Sequence, residues 1–187
     1  KTVNLGGGIG IPYRPEEKEV EVEEVAKRIR KVFDVLVPRL GIQEPKVVME
    51  NGRFVTGPCG VVVVRVVNKK SMFGRQYVGV DATMAHAMRP ALYNAYHGIS
   101  IASPRPSKED EARTQVVDVV GALCENNDFF AKRRPLPSLS PGALLLIHNT
   151  GAHSHAMGFQ YNGSLRAPEV FHHDDHSTTL IRRREEF

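Results

Sequence analysis

The chain has 187 residues, of which 41% are apolar and 25% are charged, and it carries a formal net charge of +4. This balance is typical of globular proteins with one or two domains and a sizeable core, and it excludes a disordered polyelectrolyte. The longest apolar stretches, such as residues 61–64, have the length of strands, so we predict no membrane partner.

The basic residues and the cysteines narrow the class of protein further. Basic residues are scattered apart from clusters at 132–134 and 182–184, which we interpret as solvated loop charge. No basic face with interleaved aromatic residues is visible, so nucleic acid is not an expected partner. Cys59 and Cys124 are too few for a disulfide framework, which favours a reducing compartment, and we expect a cytoplasmic protein.

The first fifty residues are predicted to form a strand, a helix and a second strand. Residues 3–5 form the first strand, and a helix is expected from Glu16 until Pro38 and Gly41 end it. Residues 47–49 form the second strand. This order predicts the last part of a (β/α)8 barrel, because a complete barrel takes about 250 residues. The apolar face of the helix consists of Val22, Val25, Ala26, Ile29, Val32, Phe33 and Leu36.

After Arg53 the sequence becomes rich in β-branched residues, with proline and glycine between the runs. A polar turn at 68–70 is expected to join the first two strands. We predict a mainly β protein, in which residues 54–187 form a mostly antiparallel domain. The predicted strands are 61–67, 76–80, 116–123, 143–148, 168–171 and 178–182.

Two candidate ligand-binding segments each follow a predicted strand. The glycines at 6–8 allow several backbone N–H groups to converge on an anion, although a plain tight turn explains them equally well. Glu50, Gly52 and Arg53 stand where barrel enzymes place ligand contacts. Arg53 suits a carboxylate or a phosphate, and a surface turn is the alternative.

Other candidate residues lie further along the chain. Arg89 and Tyr93 suit recognition of a carboxylate, or else form an ordinary ion pair and a packed ring. Cys124, followed by Glu125, is either a proton donor or a buried structural cysteine. The histidine-rich run at 172–176 reads as a polar hairpin turn, so no metal site is predicted.

Taken in order, these motifs and a few others span residues 4–184 and resemble the diaminopimelate decarboxylases and their relatives. The resemblance implies a pyridoxal 5′-phosphate (PLP) barrel at residues 1–53 and a β-sandwich-like domain at 54–187. The motifs are Gly-Gly-Gly at 6–8, Glu-x-Gly-Arg at 50–53, Asp-Ala-x-Met at 81–84, Arg-Pro-Ala-Leu-Tyr at 89–93, Cys-Glu-x-x-Asp at 124–128 and Gly-Ala-x at 151–153.

The resemblance also implies roles in binding the cofactor. The glycine loop holds the PLP phosphate through backbone N–H groups, and the Glu-x-Gly-Arg segment forms the second wall of that site. His153 stands where the family usually has a tyrosine whose hydroxyl binds the phosphate, and imidazole can also donate there. The implied cofactor-binding residues are Gly6, Gly7, Gly8, Glu50, Gly52, Arg53 and His153.

For the substrate, the resemblance implies that Arg53, Arg89 and Tyr93 bind a diamino acid, with the last two at a carboxylate. Cys124 returns a proton to the α-carbon after CO2 leaves, and Glu125 binds the amino end of the substrate. The Cys-Glu loop resembles one that crosses a dimer interface. A homodimer with a composite active site is therefore expected.

Besides His153, the chain departs from the family at Asn51, at Asn126 and Asn127, and in lacking the cofactor-binding lysine. Asn51 replaces a proline that only shapes its loop, whereas Asn126 and Asn127 replace small residues near the far end of the substrate. D-lysine and D-ornithine are therefore alternatives to meso-diaminopimelate, which yields L-lysine and CO2. The family's cofactor-binding lysine, in a Tyr-Ala-x-Lys-like context, has no match in this sequence.

From that last departure we expect a C-terminal portion that is inactive alone and works with an N-terminal barrel portion of the same protein. Two other classes of protein stay open. One is a non-catalytic homologue that serves dimerisation or regulation, and the other is a racemase with a PLP barrel. The decarboxylase-like motifs at 89–93 and 124–128 disfavour the racemase.

Overall fold

The computed structural model describes residues 1–103 and 113–187 of the chain. It contains ten strands and three α-helices in the described residues, with short 3₁₀ turns at Gly57–Cys59 and Tyr161–Gly163. In chain order the elements are β1 (Thr2–Asn4), α1 (Val22–Leu40), β2 (Lys46–Val48), α2 (Gly52–Thr56), β3 (Val62–Met72), β4 (Arg75–Val80), α3 (Arg89–Tyr93), β5 (Ile99–Ser103), β6 (Gln115–Val120), β7 (Phe129–Leu136), β8 (Leu144–Ile147), β9 (Glu169–His172) and β10 (Thr178–Arg182).

Strands β1 and β2 form a parallel pair with Val3 opposite Val47, and α1 is the connection between them. The predicted strand, helix and parallel strand are therefore confirmed. The helix, however, begins at Val22 and not at Glu16. The carboxylate of Glu17 instead accepts hydrogen bonds from the backbone N–H groups of Tyr13 and Arg14, which closes a separate turn before the helix. Gly41 ends the helix, as predicted, in a left-handed conformation, whereas Pro38, which was also expected to end it, lies inside its last turn.

The larger sheet has six strands in the order β5-β8-β3-β4-β6-β7. Its neighbouring strands run antiparallel except β4 and β6, which are parallel, so the sheet is mixed rather than antiparallel throughout. Side chains alternate between its faces. Val64 and Val66 are buried on one face of β3, whereas Val63 and Arg65, which alternate with them, are exposed. The core is completed by Val78, Val80, Val117, Val119, Phe130, Leu136, Leu145 and Ile147.

The turn between β3 and β4 lies at Phe73 and Gly74, so the prediction of a turn at 68–70 was wrong. Both turn residues have positive φ angles, 49° and 72°, the combination that suits a tight two-residue hairpin. Lys69 and Lys70 continue β3 and pair with β4 on an exposed part of the sheet. Polar side chains there indicated solvent exposure and not a turn.

Strands β5 and β7 were not predicted. The basic cluster at 132–134 lies within β7, so its interpretation as loop charge was wrong. The charged residues obscured the apolar pattern of a strand in which Phe130 and Leu136 are buried in the core. The histidine-rich run before β10 does form a hairpin turn, as predicted, in which His173 N–H donates to the Ser177 carbonyl.

Candidate functional site

The two segments that follow β1 and β2 lie side by side, because parallel strands end at the same edge. The backbone N–H of Glu50 donates to the Gly6 carbonyl at 2.7 Å, and the Asn4 amide donates to a Glu50 carboxylate oxygen at 2.5 Å. The Gly6 N–H in turn donates to the Asn4 side chain at 2.8 Å. The structure thus brings together the glycine loop and the Glu-x-Gly-Arg segment.

The absence of side chains in the glycine loop allows close backbone contact at Gly7 and leaves open space at Gly6 and Gly8. A Cβ atom at Gly7 would overlap the Glu50 carbonyl oxygen, so the two segments approach as closely as they do only because residue 7 is glycine. Gly6 and Gly8 have positive φ angles, 73° and 102°, and their Cβ positions face open space. A ligand can therefore reach the backbone of this loop, as at an anion site.

Arg53 lies in the first turn of α2, next to this loop. Its Nε atom is buried and lacks a hydrogen-bond partner among the described residues, as does Oδ1 of Asn51. Leaving a buried polar atom unsatisfied costs about 1–3 kcal/mol. Such atoms in a native protein call for an explanation, and a bound anion would give Arg53 its missing acceptor.

Arg89, the first residue of α3, is a second half-buried cation close to Arg53. Its guanidinium lies over the ring of Tyr13, with Cζ 4.6 Å from the ring centre, and Nη1 donates to Nε2 of His97 at 3.0 Å. Burial lowers the pKa of Arg89, and the positive charge of Arg53 lowers it further. Tyr93 lies one helical turn along α3 on the same side as Arg89.

Neither Arg53 nor Arg89 forms an ion pair within the part of the chain that the structure describes. Two neighbouring cations without a counter-charge repel each other, and their partial burial reduces screening by solvent. An anionic ligand would relieve this repulsion. The arrangement therefore favours binding of carboxylate or phosphate groups beside the glycine loop.

The Cys-Glu loop connects β6 to β7, the two strands at one edge of the six-stranded sheet. Cys124 is exposed among the residues that the structure describes, so the alternative of a buried structural cysteine is wrong. The Glu125 carboxylate accepts a hydrogen bond from the Asn127 N–H at 3.0 Å, which closes a tight turn. The thiol of Cys124 is therefore accessible from solvent.

Asp128, which the sequence analysis did not single out, holds this loop in place. Its carboxylate is 4% exposed and accepts hydrogen bonds from the backbone N–H groups of Met84 at 2.6 Å and Leu123 at 2.7 Å. Burial raises the pKa of Asp128, although the two hydrogen bonds act in the opposite direction. A Cβ at Gly121 would overlap this carboxylate. The available signal was the final residue of the Cys-Glu-x-x-Asp motif.

The Gly-Ala-x motif contacts the helix that carries Arg53. The N–H of Gly151 donates to the Gly57 carbonyl at 3.0 Å, and a Cβ at Gly151 would overlap the Thr56 carbonyl oxygen. His153 follows with a φ angle of 66° and an exposed side chain. Its place near α2 is compatible with a role at an anion site, which stays a prediction.

Histidines elsewhere in the described residues do not gather into a metal-binding group. His155 lies 3.3 Å from the Glu169 carboxylate, and His172 and His176 contact each other in the β9–β10 turn. No group of three or more ligand-type side chains occurs within residues 1–103 and 113–187. Within the same residues, no helix has the length and apolar character to cross a membrane.

A mainly β protein with a glycine loop and two unpaired arginines fits the class of enzymes that bind phosphorylated cofactors. Comparison with known families is more specific. Residues 31–151 match the family described as "Pyridoxal-dependent decarboxylase, C-terminal sheet domain", and residues 1–57 match "Pyridoxal-dependent decarboxylase, pyridoxal binding domain". The chain therefore belongs to the pyridoxal-dependent decarboxylase family, and the resemblance seen in its motifs is confirmed.

Individual relatives cover the whole chain. Protein TabA of Pseudomonas amygdali pv. tabaci is 47% identical, and the diaminopimelate decarboxylase of Methanothermobacter thermautotrophicus is 37% identical, both over 99% of this chain and 42% of the relative. The crystal structure of diaminopimelate decarboxylase from Helicobacter pylori, complexed with L-lysine, matches with a TM-score of 0.86 and 31% identity, over 100% of this chain and 42% of that one. The chain thus spans about two fifths of the length of these relatives.

Proposed function

We propose that the full-length protein is a PLP-dependent decarboxylase that converts meso-diaminopimelate to L-lysine and CO2. The observation that carries the proposal is the pair of neighbouring cations without an ion-pair partner, Arg53 and Arg89, of which Arg89 lies over the ring of Tyr13. Relatives with the name diaminopimelate decarboxylase support it at 33–37% identity. The H. pylori relative with bound L-lysine supports a diamino acid as the ligand class.

The proposal divides the chain into two parts. Residues 1–53 form the last strand–helix–strand units of a PLP-binding (β/α)8 barrel, and residues 54–187 form a largely antiparallel β-sandwich-like domain. The parallel pairing of β1 with β2 across α1 supports the first part. The antiparallel pairs around β3 and β8 support the second. An N-terminal barrel portion of the same protein completes the fold.

The residues present fit PLP at its phosphate end. The loop formed by Gly6, Gly7 and Gly8 offers accessible backbone, and the segment that contacts it at Glu50 also carries the partnerless Nε of Arg53. Glu50 and Gly52 hold the second wall, and His153 stands close to α2. PLP, when bound, supplies an electron sink for the bond that breaks as CO2 leaves. The protein's own part is to hold the cofactor and orient the substrate.

The remaining residues act on the substrate. Arg89 offers a charged fork and Tyr93 a directional hydroxyl, a pair that suits the carboxylate retained in the product. Glu125 binds the ammonium group at the far end of the substrate. Cys124 acts as the general acid: its Sγ–H proton passes to the carbon that has lost CO2, and the thiolate regains a proton before the next turnover.

The exposure of Cys124 and the turn that supports it favour a site shared between two subunits. An exposed thiol on a loop can reach the cofactor of a second copy. We therefore propose a homodimer in which the loop of one subunit completes the site of its partner. Two-fold symmetry then forms two such sites from one interface.

A second candidate function is decarboxylation of D-lysine or D-ornithine. The residues that favour it are Asn126 and Asn127, because both replace the small residues usual in the family and both are exposed on the loop beside Glu125. Such a substrate ends in a bare ammonium group on a methylene carbon and lacks the second carboxylate. The 47% identity to TabA, whose name states no reaction, leaves this candidate standing.

Release of CO2 from three substrates tests both functions in the full-length enzyme. A site built around charged groups discriminates strongly against an analogue that lacks its partner, often by about 10,000-fold. We expect meso-diaminopimelate to be preferred by a wide margin over D-lysine and D-ornithine. A preference for either of the latter would replace the substrate but keep the reaction. Absence of CO2 release from all three by PLP-loaded protein would refute the decarboxylase proposal.

A further inference from the structure

His97 lies at the centre of the cluster that holds Arg89. The side chain is 1% exposed and is among the largest fully buried groups of the protein. It stands between α3 and β5, and its ring contacts Tyr13 edge-on at 5.0 Å between centres. A polar residue buried this deeply is expected to use both ring nitrogens in hydrogen bonds, which His97 does.

The two partners of His97 fix its tautomer. Nδ1 lies 2.8 Å from the carbonyl oxygen of His148, and a carbonyl only accepts, so Nδ1 carries the proton. Nε2 lies 3.0 Å from Nη1 of Arg89, and a guanidinium only donates, so Nε2 presents its lone pair. His97 is thus a neutral ring that donates to the residue after β8 and accepts from Arg89.

The surroundings keep the ring neutral. Burial lowers the pKa of His97, and the charges of Arg89, Arg134 and Arg53 lower it further against the opposing effect of the bond to His148. Arg134 also donates from Nη1 to the His97 backbone carbonyl at 2.8 Å, so the residue is held at its main chain as well. The ring is therefore a fixed acceptor in a site rich in positive charge.

From this geometry we infer that His97 is a positioning residue that holds the Arg89 guanidinium for the substrate carboxylate. The inference rests on the proposed function, in which Arg89 binds that carboxylate. Nε2 takes one of the five guanidinium N–H groups, and Tyr13 covers one face of the group. The remaining donors are then oriented in advance, so binding does not have to order a long flexible side chain.

Two substitutions distinguish the contribution of the Nε2 acceptor from that of the other contacts of the His97 ring. His97→Gln can place an amide oxygen near the Nε2 position, which keeps an acceptor for Arg89. His97→Asn is shorter, and its amide can still donate to the His148 carbonyl from near the Nδ1 position, but nothing reaches Arg89. Arg89→Lys serves as the reference, because it keeps the charge and loses the fork.

The readout is the affinity of the full-length holoenzyme for L-lysine relative to cadaverine, measured by calorimetry. Cadaverine is L-lysine without its carboxylate, so the ratio reports the contact with Arg89. We expect His97→Asn to lower the ratio about 10- to 100-fold, the range for a hydrogen bond to a charged group, and His97→Gln to lower it less than about threefold. With meso-diaminopimelate, His97→Asn should raise KM and leave kcat within about threefold.

The outcomes distinguish this inference from the proposed function. If Arg89→Lys leaves the ratio unchanged, Arg89 does not bind the carboxylate. The role of Arg89 in the proposed function and the positioning role of His97 are then both wrong. If Arg89→Lys lowers the ratio and His97→Asn does not, only the inference about His97 is overturned. Equal losses in the Asn and Gln variants would also overturn it, because the effect would then come from packing.

A measurement on the unsubstituted protein covers the case in which a variant does not fold. Nitrogen chemical shifts of ¹⁵N-labelled histidine distinguish a protonated from an unprotonated ring nitrogen. We expect the ring of His97 to carry its proton on Nδ1 and to leave Nε2 unprotonated at neutral pH. A proton on Nε2 of His97 at neutral pH would overturn the inference.

Discussion

The carboxylate of Asp128 accepts a hydrogen bond from the backbone N–H of Met84 at 2.6 Å, although the two residues lie 44 positions apart. Its second oxygen accepts from the N–H of Leu123. One buried side chain therefore ties the loop of the proposed proton donor, Cys124, to the loop after β4. The proposed acid is positioned by this link and not by local sequence alone.

Replacing Asp128 by asparagine should destabilise the protein. The amide has one oxygen for two backbone donors, so one backbone N–H keeps its acceptor. The amide nitrogen must face the other N–H, and neither of those two groups then has an acceptor. We expect a loss of about 1–3 kcal/mol in the free energy of unfolding, measured by urea denaturation. Asp174→Asn is the matched control on the exposed β9–β10 turn and should change stability by less than about 0.5 kcal/mol. Equal effects at the two positions would contradict the anchoring role.

The same carboxyl group predicts a pH dependence. Burial raises the pKa of Asp128 in the folded state above its ordinary value. In the pH range between the two values the folded state binds more protons than the unfolded state, so the free energy of unfolding falls as pH rises. The slope should be more negative for the wild type than for Asp128→Asn through that acidic range. Urea titrations at several pH values measure it, and identical slopes would refute the prediction.

The parts of the fold that depend on local patterns were predicted from sequence, and the parts that depend on distant partners were not. The parallel β1–β2 pair follows from apolar spacing in α1 and the strands around it. Strand β7 was missed because three consecutive basic residues, 132–134, interrupt its apolar pattern between buried Phe130 and Leu136. The turn at Phe73 lacks the Asn-Gly or Asp-Gly pair that signals a tight hairpin.

The candidate site shows the same division. Arg53, Arg89 and Cys124 belong to motifs that the sequence displays, and the structure brings the two arginines together. His97 and Asp128 act through backbone partners 51 and 44 positions away. The motif that ends at Asp128 marks the residue, but it does not indicate the contact with Met84. A histidine between α3 and β5 has no visible motif around it. Only the folded chain shows that its ring joins Arg89 to the end of β8.

The glycine loop should tolerate no side chain at its centre. Gly7→Ala places a methyl group against the Glu50 carbonyl oxygen, so the loop must move away from the Glu-x-Gly-Arg segment. We expect weaker PLP binding, by about 5- to 150-fold, from the 1–3 kcal/mol that overpacking usually costs. Gly10→Ala is the control, since its Cβ position faces open space. Titration of the full-length apoenzyme with PLP, followed by cofactor absorbance, measures both. Wild-type affinity in Gly7→Ala would remove this loop from the cofactor site.

Cys124→Ala should lower kcat of the full-length enzyme far more than it alters substrate binding. The thiol is proposed to act after CO2 leaves, and loss of a general acid typically costs about 100- to 10,000-fold in rate. Cys59→Ala provides the control, because that cysteine is also exposed but its Sγ donates to the Val55 carbonyl within a short turn. A Cys124→Ala enzyme within a few-fold of wild type would exclude Cys124 from the reaction.

Mixing two inactive variants tests whether the active site is shared between subunits. Arg53→Ala removes a group proposed to bind cofactor in one subunit, and Cys124→Ala removes the acid proposed to come from the other. If each site takes these residues from different subunits, a mixed dimer has one site with both defects and one that is intact. Random exchange of equal amounts makes half of the dimers mixed.

The mixture should therefore regain about a quarter of wild-type activity, the value that two-fold symmetry requires. Subunits are exchanged by brief exposure to dilute denaturant, and activity is followed against each variant treated alone. If Arg53 and Cys124 of one chain serve the same site, every site in a mixed dimer carries one defect. Activity would then stay at the mean of the two variants, and the exposed position of Cys124 would need another explanation.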